Sequence, residues 1–572
     1  MKRSGFTASP RRLVHLGLAV ATITLAACST PGDRVTANCN GTEVSPERLF
    51  LQQLGSDRAI IKWRGNASGG ASADQLCFGK DSNALPLSSL TRASETGLGH
   101  REAVLEGLEP ETTYYYSIGG AGTAAPGQSF RTAPVADSAP VDGNTHILIV
   151  GDSGTPSEGV SEKRPGGKYP GQAAAVLKGY QRYAAAQGGE DLDLFLLLGD
   201  NAYEAGTDAQ WQLAFFDLYA DIIKRTQTLP TIGNHEMGVA NMLLPGYLMC
   251  ELMHVARENC GDNFDPPGDL HPMATAGTST SSDPASYSSN GRSAEPDGTS
   301  MPYLDIFSLP TRGEMGGVPS GTEQYYSVDY ANVHVVSLDS QLSARDATAR
   351  DTMKRWLIED LSANTRDWTI VIFHHPPYTK GANHDSDDVG GSSAGATIDR
   401  PEWDMRNEFT PVFEQYGVDL VYSGHAHSYE RSYYLQGHTG TSDTFDPLRH
   451  AETVAGRPAT GRPADGETYR QKSPTSGNLD DRVVYTVAGS SGKADKGGDQ
   501  LGITADDEWL RHPAHVIQPL ASSRCQHDAG CREGLRGLAV LGSVVVDAGR
   551  SSLRARFIDT HGDVLDEFVI QR

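Results

Sequence analysis

Five short segments each place a metal-liking side chain directly after an apolar run. They are Gly151-Asp152-Ser153-Gly154, Gly199-Asp200-Asn201-Ala202-Tyr203, Gly233-Asn234-His235-Glu236, Val371-Ile372-Phe373-His374 and Gly424-His425-Ala426-His427. A lone Gly-Asp or His-x-His recurs by chance, but this series supplies enough oxygen and nitrogen donors for two metal ions. Asp152 and Asp200 are hard oxygen donors, and a carboxylate such as Asp200 can bridge two cations about 3.5–4 Å apart. Asn234 offers an amide oxygen; His374, His425 and His427 offer imidazole nitrogens. His425 and His427 would share a face on a strand, whereas on a turn they can diverge to separate metals.

Tyr203 narrows the chemistry. A phenolate is a strongly donating hard oxygen that suits trivalent iron better than zinc or manganese. Alone it would read as a packed aromatic with its hydroxyl hydrogen-bonded. Its place three residues after Asp200, inside the series, favours ligation.

These donors need rigid supports. The apolar runs His146 to Val150, Leu192 to Leu198, Val333 to Leu338, Trp368 to Phe373, Leu420 to Tyr422 and Val483 to Val487 read as strands buried on both faces. Helical patterns at Ala173 to Ala185, Ala209 to Ile223 and Asp351 to Leu361 lie between several of them. The expectation is an α/β domain whose sheets are flanked by helices, with the motifs at strand carboxyl ends, where such folds bind ligands. From about Ser45 to Pro134 the pattern is β: Ala59, Ile61 and Trp63 share one strand face, and Thr113 to Ile118 is rich in tyrosine. The polar stretches 261–301 and 437–478 read as surface insertions or loops.

The first 27 residues stand apart. Lys2, Arg3, Arg11 and Arg12 precede an apolar stretch from Leu13 to Ala27, too short to span a bilayer comfortably. It ends in Leu25-Ala26-Ala27-Cys28, which resembles a bacterial lipobox and predicts a lipid-modified Cys28 followed by a tether to about residue 44; an ordinary secretory signal is the alternative. That leader predicts export across the inner membrane to the periplasm or cell surface. Setting Cys28 aside leaves six cysteines in close pairs, Cys39 with Cys77, Cys250 with Cys260 and Cys525 with Cys531, which points to an oxidising compartment. The formal charge of −24 argues against a broad nucleic-acid surface, so an anionic substrate must be drawn by local positive charge.

The five motifs in this order, with Gly424 to Arg431 matching over a longer span, resemble the purple acid phosphatases among the calcineurin-like metallophosphoesterases. The N-terminal β segment resembles the fibronectin type III-like domain that larger members carry. The resemblance implies a fibronectin-like domain over 45–135 and, over 143–572, a metallophosphoesterase β-sandwich flanked by helices. It implies Asp152, Asp200, Tyr203 and His427 around a ferric ion, with Asp200 bridging to a second, divalent site of Asn234, His374 and His425 that takes iron, zinc or manganese. The implied reaction is hydrolysis of phosphate monoesters by attack of a metal-bound hydroxide. His235 would face the substrate, unless it is a hydrogen-bonded structural histidine. His375 would support the ligands. The substrate-facing histidine pair of plant-like members corresponds here to Asn383-His384, so His384 keeps half of that pair. A phosphodiesterase or nucleotidase on the same metals is the rival enzyme. A binding protein with a relic catalytic domain would have lost ligands, and all seven positions are filled.

Overall fold

The computed structural model describes residues 39–44, 46–64, 75–93, 99–138, 140–155, 172–189, 192–203, 206, 208–237, 302–341, 344, 347–381, 384–387, 399–471, 482–494, 509–518 and 534–572. The leader, Cys28, the 261–301 stretch, Asn383 and the cysteines at 250, 260, 525 and 531 lie outside the described residues. Among the described residues no helix is long and apolar enough to cross a membrane.

Two four-stranded sheets form the N-terminal unit. One runs Glu47–Gln52, Arg58–Arg64, His100–Glu106, Arg92–Ala93; the other runs Leu87–Leu90, Gln75–Gly79, Thr113–Ile118, Ser129–Arg131. Strand alternation sends Ala59, Ile61 and Trp63 into a shared core with Leu76, Tyr116 and Phe130. A Cys39–Cys77 disulfide ties the entering chain to the second sheet. The opposite strand face is covered too. Lys62 donates to Ser308 Oγ at 3.0 Å, and Phe50 meets Phe216 and Phe307 edge-on, with ring centroids 5.4 and 6.2 Å apart. Phe50 is wholly buried, which stabilises the junction with the following domain by about 1.5–3 kcal/mol.

The larger domain stacks two seven-stranded sheets. The first runs Gln227–Pro230, Leu194–Leu197, Asn144–Val150, Gly542–Gly549, Ser552–Asp559, Val564–Gln571, Tyr469–Arg470. The second runs Tyr326–Tyr330, Val333–Ser337, Trp368–Ile372, Leu420–Ser423, Val483–Ala488, Tyr429–Leu435, Gly537–Leu538. The first three strands of the first sheet are parallel, as are Val333–Ser337, Trp368–Ile372, Leu420–Ser423 and Val483–Ala488 in the second. Period-two alternation splits the second sheet's side chains. Val335, Ile370, Ile372, Leu420 and Tyr422 join the core between the sheets. Val336, Val371, Phe373, Val421 and Val483 face outward, against Met353, Leu357 and Leu361 of the helix Ala347–Ala363 and against Phe409 and Phe413. The first sheet is covered by the helix Gln172–Ala186, whose Gly179 sits so close that an added Cβ would lie 2.2 Å from Asp559 O. The fold is thus the expected α/β sandwich of two sheets flanked by helices, preceded by an all-β sandwich.

The expected helix Ala209 to Ile223 is broken. A turn of α-helix, Asp208–Trp211, runs into a π-turn over Gln212–Phe216, and a further turn follows at Ala220–Ile223. Trp211, Phe215, Phe216 and Tyr219 are all buried, and the π-turn inserts one extra residue within this ring cluster. The described part of 437–478 is more structured than its composition predicts. It holds a one-turn helix, Pro447–His450, a small hairpin and the edge strand Tyr469–Arg470. Its Arg462 bonds inward, pairing at 2.7 Å with the buried Asp566, which Arg431 of the strand Tyr429–Leu435 also meets at 2.7 Å.

Candidate active site

Each of the five motifs places its donors just beyond the end of a parallel strand. Gly151-Asp152 follows Asn144–Val150, Gly199-Asp200 follows Leu194–Leu197, and Gly233-Asn234 follows Gln227–Pro230, all on the first sheet. His374 follows Trp368–Ile372 and Gly424-His425 follows Leu420–Ser423 on the second. The stacking of the sheets therefore brings the two sets of strand ends into one place. The backbone turns hard there: Asp152, Asp200 and His425 have φ of 53°, 53° and 69°. Left-handed conformations at non-glycine residues cost energy and cluster where function requires them. Gly199 and Gly424 admit the close approach, since an added Cβ would lie 2.7 Å from His374 Nδ1 at the first and 2.4 Å from Asp152 Oδ2 at the second.

The side chains fall into two groups. In one, the Tyr203 hydroxyl is 3.1 Å from Asp152 Oδ1 and 3.4 Å from His427 Nε2, and His427 Nε2 is 3.6 Å from Asp152 Oδ1. In the other, Asn234 Oδ1 lies 2.8 Å from His374 Nε2 and 3.0 Å from His425 Nδ1, and these two nitrogens are 3.3 Å apart. Asp200 joins the groups: its Oδ1 is 3.4 Å from His374 Nε2, and ligand atoms of Asp152, Asp200 and His374 all lie within 4.8 Å of one another. The first group offers hard oxygens including a phenol, the second is richer in nitrogen, and both fit a metal ion sharing the Asp200 carboxylate. All seven residues proposed from sequence as ligands are brought together.

Electrostatics agree with that fit. Burial and then the charge of Asp200 raise the Asp152 carboxyl well above its ordinary range. For Asp200 burial raises as well, but the positive fields of His374 and His235 prevail and lower it. Burial lowers His374, and burial together with His384 lowers His425 further, which favours on both rings the form that can donate a lone pair. Two buried carboxylates this close are stabilised by cations.

Neighbouring groups fix each ligand. His374 Nδ1 bonds Leu198 O at 2.9 Å, which leaves Nε2 to face Asn234. His425 Nε2 is 3.4 Å from Asp399 Oδ1, and the same oxygen is 2.8 Å from His384 Nδ1. His375 Nδ1 lies 2.9 Å from Ser340 Oγ, and its ring centroid is 4.4 Å from that of His425, a supporting position. Glu236, the last residue of its motif, receives the backbone N–H groups of Asp200, Asn201 and Gly233 at 2.9, 2.7 and 2.6 Å.

Exposure shows the open side. The side chains of His235, His384 and His427 are 19, 17 and 15% accessible, while Asp152, Asp200, His374 and His425 are at 3% or less. A ligand from solvent would therefore meet the three histidines first. The His235 ring stands edge-on to Tyr203 at 4.8 Å, and the His384 ring lies 3.7 Å from that of His425.

Sequence reasoning missed Asp399 and Lys493. Asp399 carries no spacing signal. Lys493, 6% exposed, ends the loop Gly489-Ser490-Ser491-Gly492 that follows the strand Val483–Ala488. That glycine-rich turn after an apolar run is the same signature as the other motifs.

Residues 145–429 match the family model described as calcineurin-like phosphoesterase. An uncharacterized Mycobacterium tuberculosis protein is 33% identical over 159 residues, 26% of each chain. Purple acid phosphatase 22 of Arabidopsis thaliana is 26% identical over 327 residues, 57% of this chain and 51% of that one. The chain thus spans about a quarter to a half of the length of these curated relatives. The solved purple acid phosphatase of yellow lupin seeds superposes with a TM-score of 0.54 at 16% identity, covering 92% of this chain and 74% of that one, a likeness of fold.

Proposed function

We propose that the chain, which belongs through residues 145–429 to the calcineurin-like metallophosphoesterases and has purple acid phosphatases among its relatives, hydrolyses phosphate monoesters at a centre built for two metal ions. The observation that carries this reading is the pair of donor groups sharing Asp200, with Tyr203 in one of them. Asp152, Tyr203, His427 and Asp200 would hold ferric iron; Asn234, His374, His425 and Asp200 would hold a divalent iron, zinc or manganese. When bound, the metals supply Lewis acidity towards a phosphate oxygen and lower the pKa of water.

The remaining steps belong to the chain's own groups. His235 is held by its backbone N–H to Asp200 Oδ1 at 2.9 Å, at the open side of the site, where it orients the phosphate and donates a proton to the leaving oxygen. His384 is oriented from behind by Asp399, whose Oδ1 lies 2.8 Å from its Nδ1. Burial of the ligands excludes competing water and strengthens every charge interaction at the centre. No serine or cysteine nucleophile is required.

The test is kcat/KM for a nitrophenyl phosphate monoester and the matching diester, on iron-loaded protein from acidic to neutral pH. Monoester preference is expected. Diester preference would move the protein to the phosphodiesterases, and turnover of neither would overturn the reading.

The site of action is the cell envelope, with Cys28 as the lipid anchor; the Cys39–Cys77 disulfide supports an oxidising compartment. Labelled palmitate should enter the full chain and not its Cys28→Ser variant. Equal labelling of both would refute the anchor.

A further inference from the structure

Lys493 does not belong to the five motifs, yet its Nζ lies 3.3 Å from the centroid of the Tyr203 ring. Both residues are buried, at 6 and 2% exposure. The contact is built by the fold. Ser491 donates its N–H to Gly151 O at 3.1 Å, and Ser491 Oγ accepts the N–H of Gly151 at 3.2 Å, so the loop is laced to the turn that carries Asp152. Gly492 lies so close that an added Cβ would be 2.4 Å from Asp152 O, and at Gly489 it would be 2.2 Å from Ala426 O. Lys493 therefore enters from a backbone clamped between two ligand-bearing turns. The His235 ring stands edge-on to the same tyrosine at 4.8 Å.

We infer that Lys493 positions and tunes the Tyr203 ligand: its ammonium group, held against the ring face, sets the electron density that the phenol oxygen offers to ferric iron. This inference rests on the reading of Tyr203 as a ferric ligand. A cation over an aromatic face is attracted by the ring's negative quadrupole. Burial of both residues keeps water from screening that attraction. The ammonium lowers the energy of the ring's donor orbital, so charge transfer from phenolate to ferric iron demands a higher-energy photon. The same positive charge favours the ferrous over the ferric state. Lys493 thus tunes the colour and the reduction potential of the centre without being a ligand.

Visible spectra and reductive titrations of the iron-loaded full chain test this, using Lys493→Met, Lys493→Arg and Tyr203→Phe. Lys493→Met is expected to move the absorption band to longer wavelength and lower the reduction potential while keeping its intensity per iron. Lys493→Arg keeps the charge and should leave both near the wild-type values. If Lys493→Met does not fold, Lys493→Gln gives the same comparison. A band that disappears in Tyr203→Phe but does not move in Lys493→Met overturns the inference and leaves the ligand reading standing. Equal shifts in the Met and Arg variants also overturn it, because packing rather than charge would then be responsible. A wild-type protein with no such band, or a band that survives Tyr203→Phe, removes the ligand reading itself.

Discussion

Glu236 Oε2 accepts the backbone N–H of Asp200 at 2.9 Å, so the motif that carries Asn234 holds the shared carboxylate of its neighbour in place. The same side chain takes the N–H groups of Asn201 and Gly233 and is wholly buried. Burial, then the charge of Asp200, push its carboxyl up, while the three N–H donors hold the ionised form in place. Glu236→Gln can offer one oxygen, and its amide would face at least one N–H. An unmatched buried donor costs about 1–3 kcal/mol. We expect a lowered melting temperature and metal affinity reduced about 10–100-fold. Metal content after dialysis checks this, and full retention of two metals would refute it.

Asp399 couples the second donor group to the open side, since one of its oxygens meets both His425 and His384. Asp399→Asn removes the negative charge that fixes which nitrogen of His425 faces Asn234. The expected result is weaker binding at the divalent site, about 10–100-fold, with the ferric site and its colour retained. Titration of zinc into iron-loaded protein measures it. Equal loss of both metals would instead mark Asp399 as a general structural support.

His235 and His384 should separate by leaving group. A proton donor matters most when the departing oxygen is basic, and its removal costs about 10²–10⁴ in rate. His235→Ala is expected to impair alkyl phosphates severely and nitrophenyl phosphate mildly. His384→Ala should show the smaller effect on the same scale. Uniform loss across substrates in both variants would assign these histidines to binding rather than proton transfer.

The five motifs of the site were legible because each donor segment comes with an apolar run buried on both faces, as at Leu194–Leu197 and Trp368–Ile372. Such runs are strands whichever partners they find, and the residue after each must emerge at the sheet edge. Asp399 comes from a connecting loop, where no period announces a direction, whereas Lys493 ends a turn that follows the strand Val483–Ala488 as the motifs follow theirs. Lys62 alternates correctly with Ile61 and Trp63 but is buried on the nominally outer face, because a second domain covers it. Charged stretches misled for the same reason at Arg462, whose polarity serves the buried Asp566 rather than solvent.

His334 on Val333–Ser337 sits between Asp329 and Asp360, with Nδ1 and Nε2 at 2.7 and 2.9 Å from their carboxylates. Burial lowers the ring's pKa, but hydrogen bonds to Asp329 and Asp360 override it and raise it to about 9. Asp360 also accepts from Ser327 Oγ at 2.8 Å and from Val318 N at 2.7 Å, and Arg366 reaches Asp329 at 3.5 Å, so the protonated ring belongs to a filled network. A group whose pKa is raised on folding stabilises fully below its unfolded value, about 6.5, and loses that contribution as pH rises through about 9. The difference corresponds to about 3 kcal/mol. Denaturant unfolding of the wild-type protein should therefore weaken from neutral to alkaline pH, whereas His334→Gln should start lower and show a flatter dependence over that window. Parallel curves for the two proteins would show that the ring does not carry the proton.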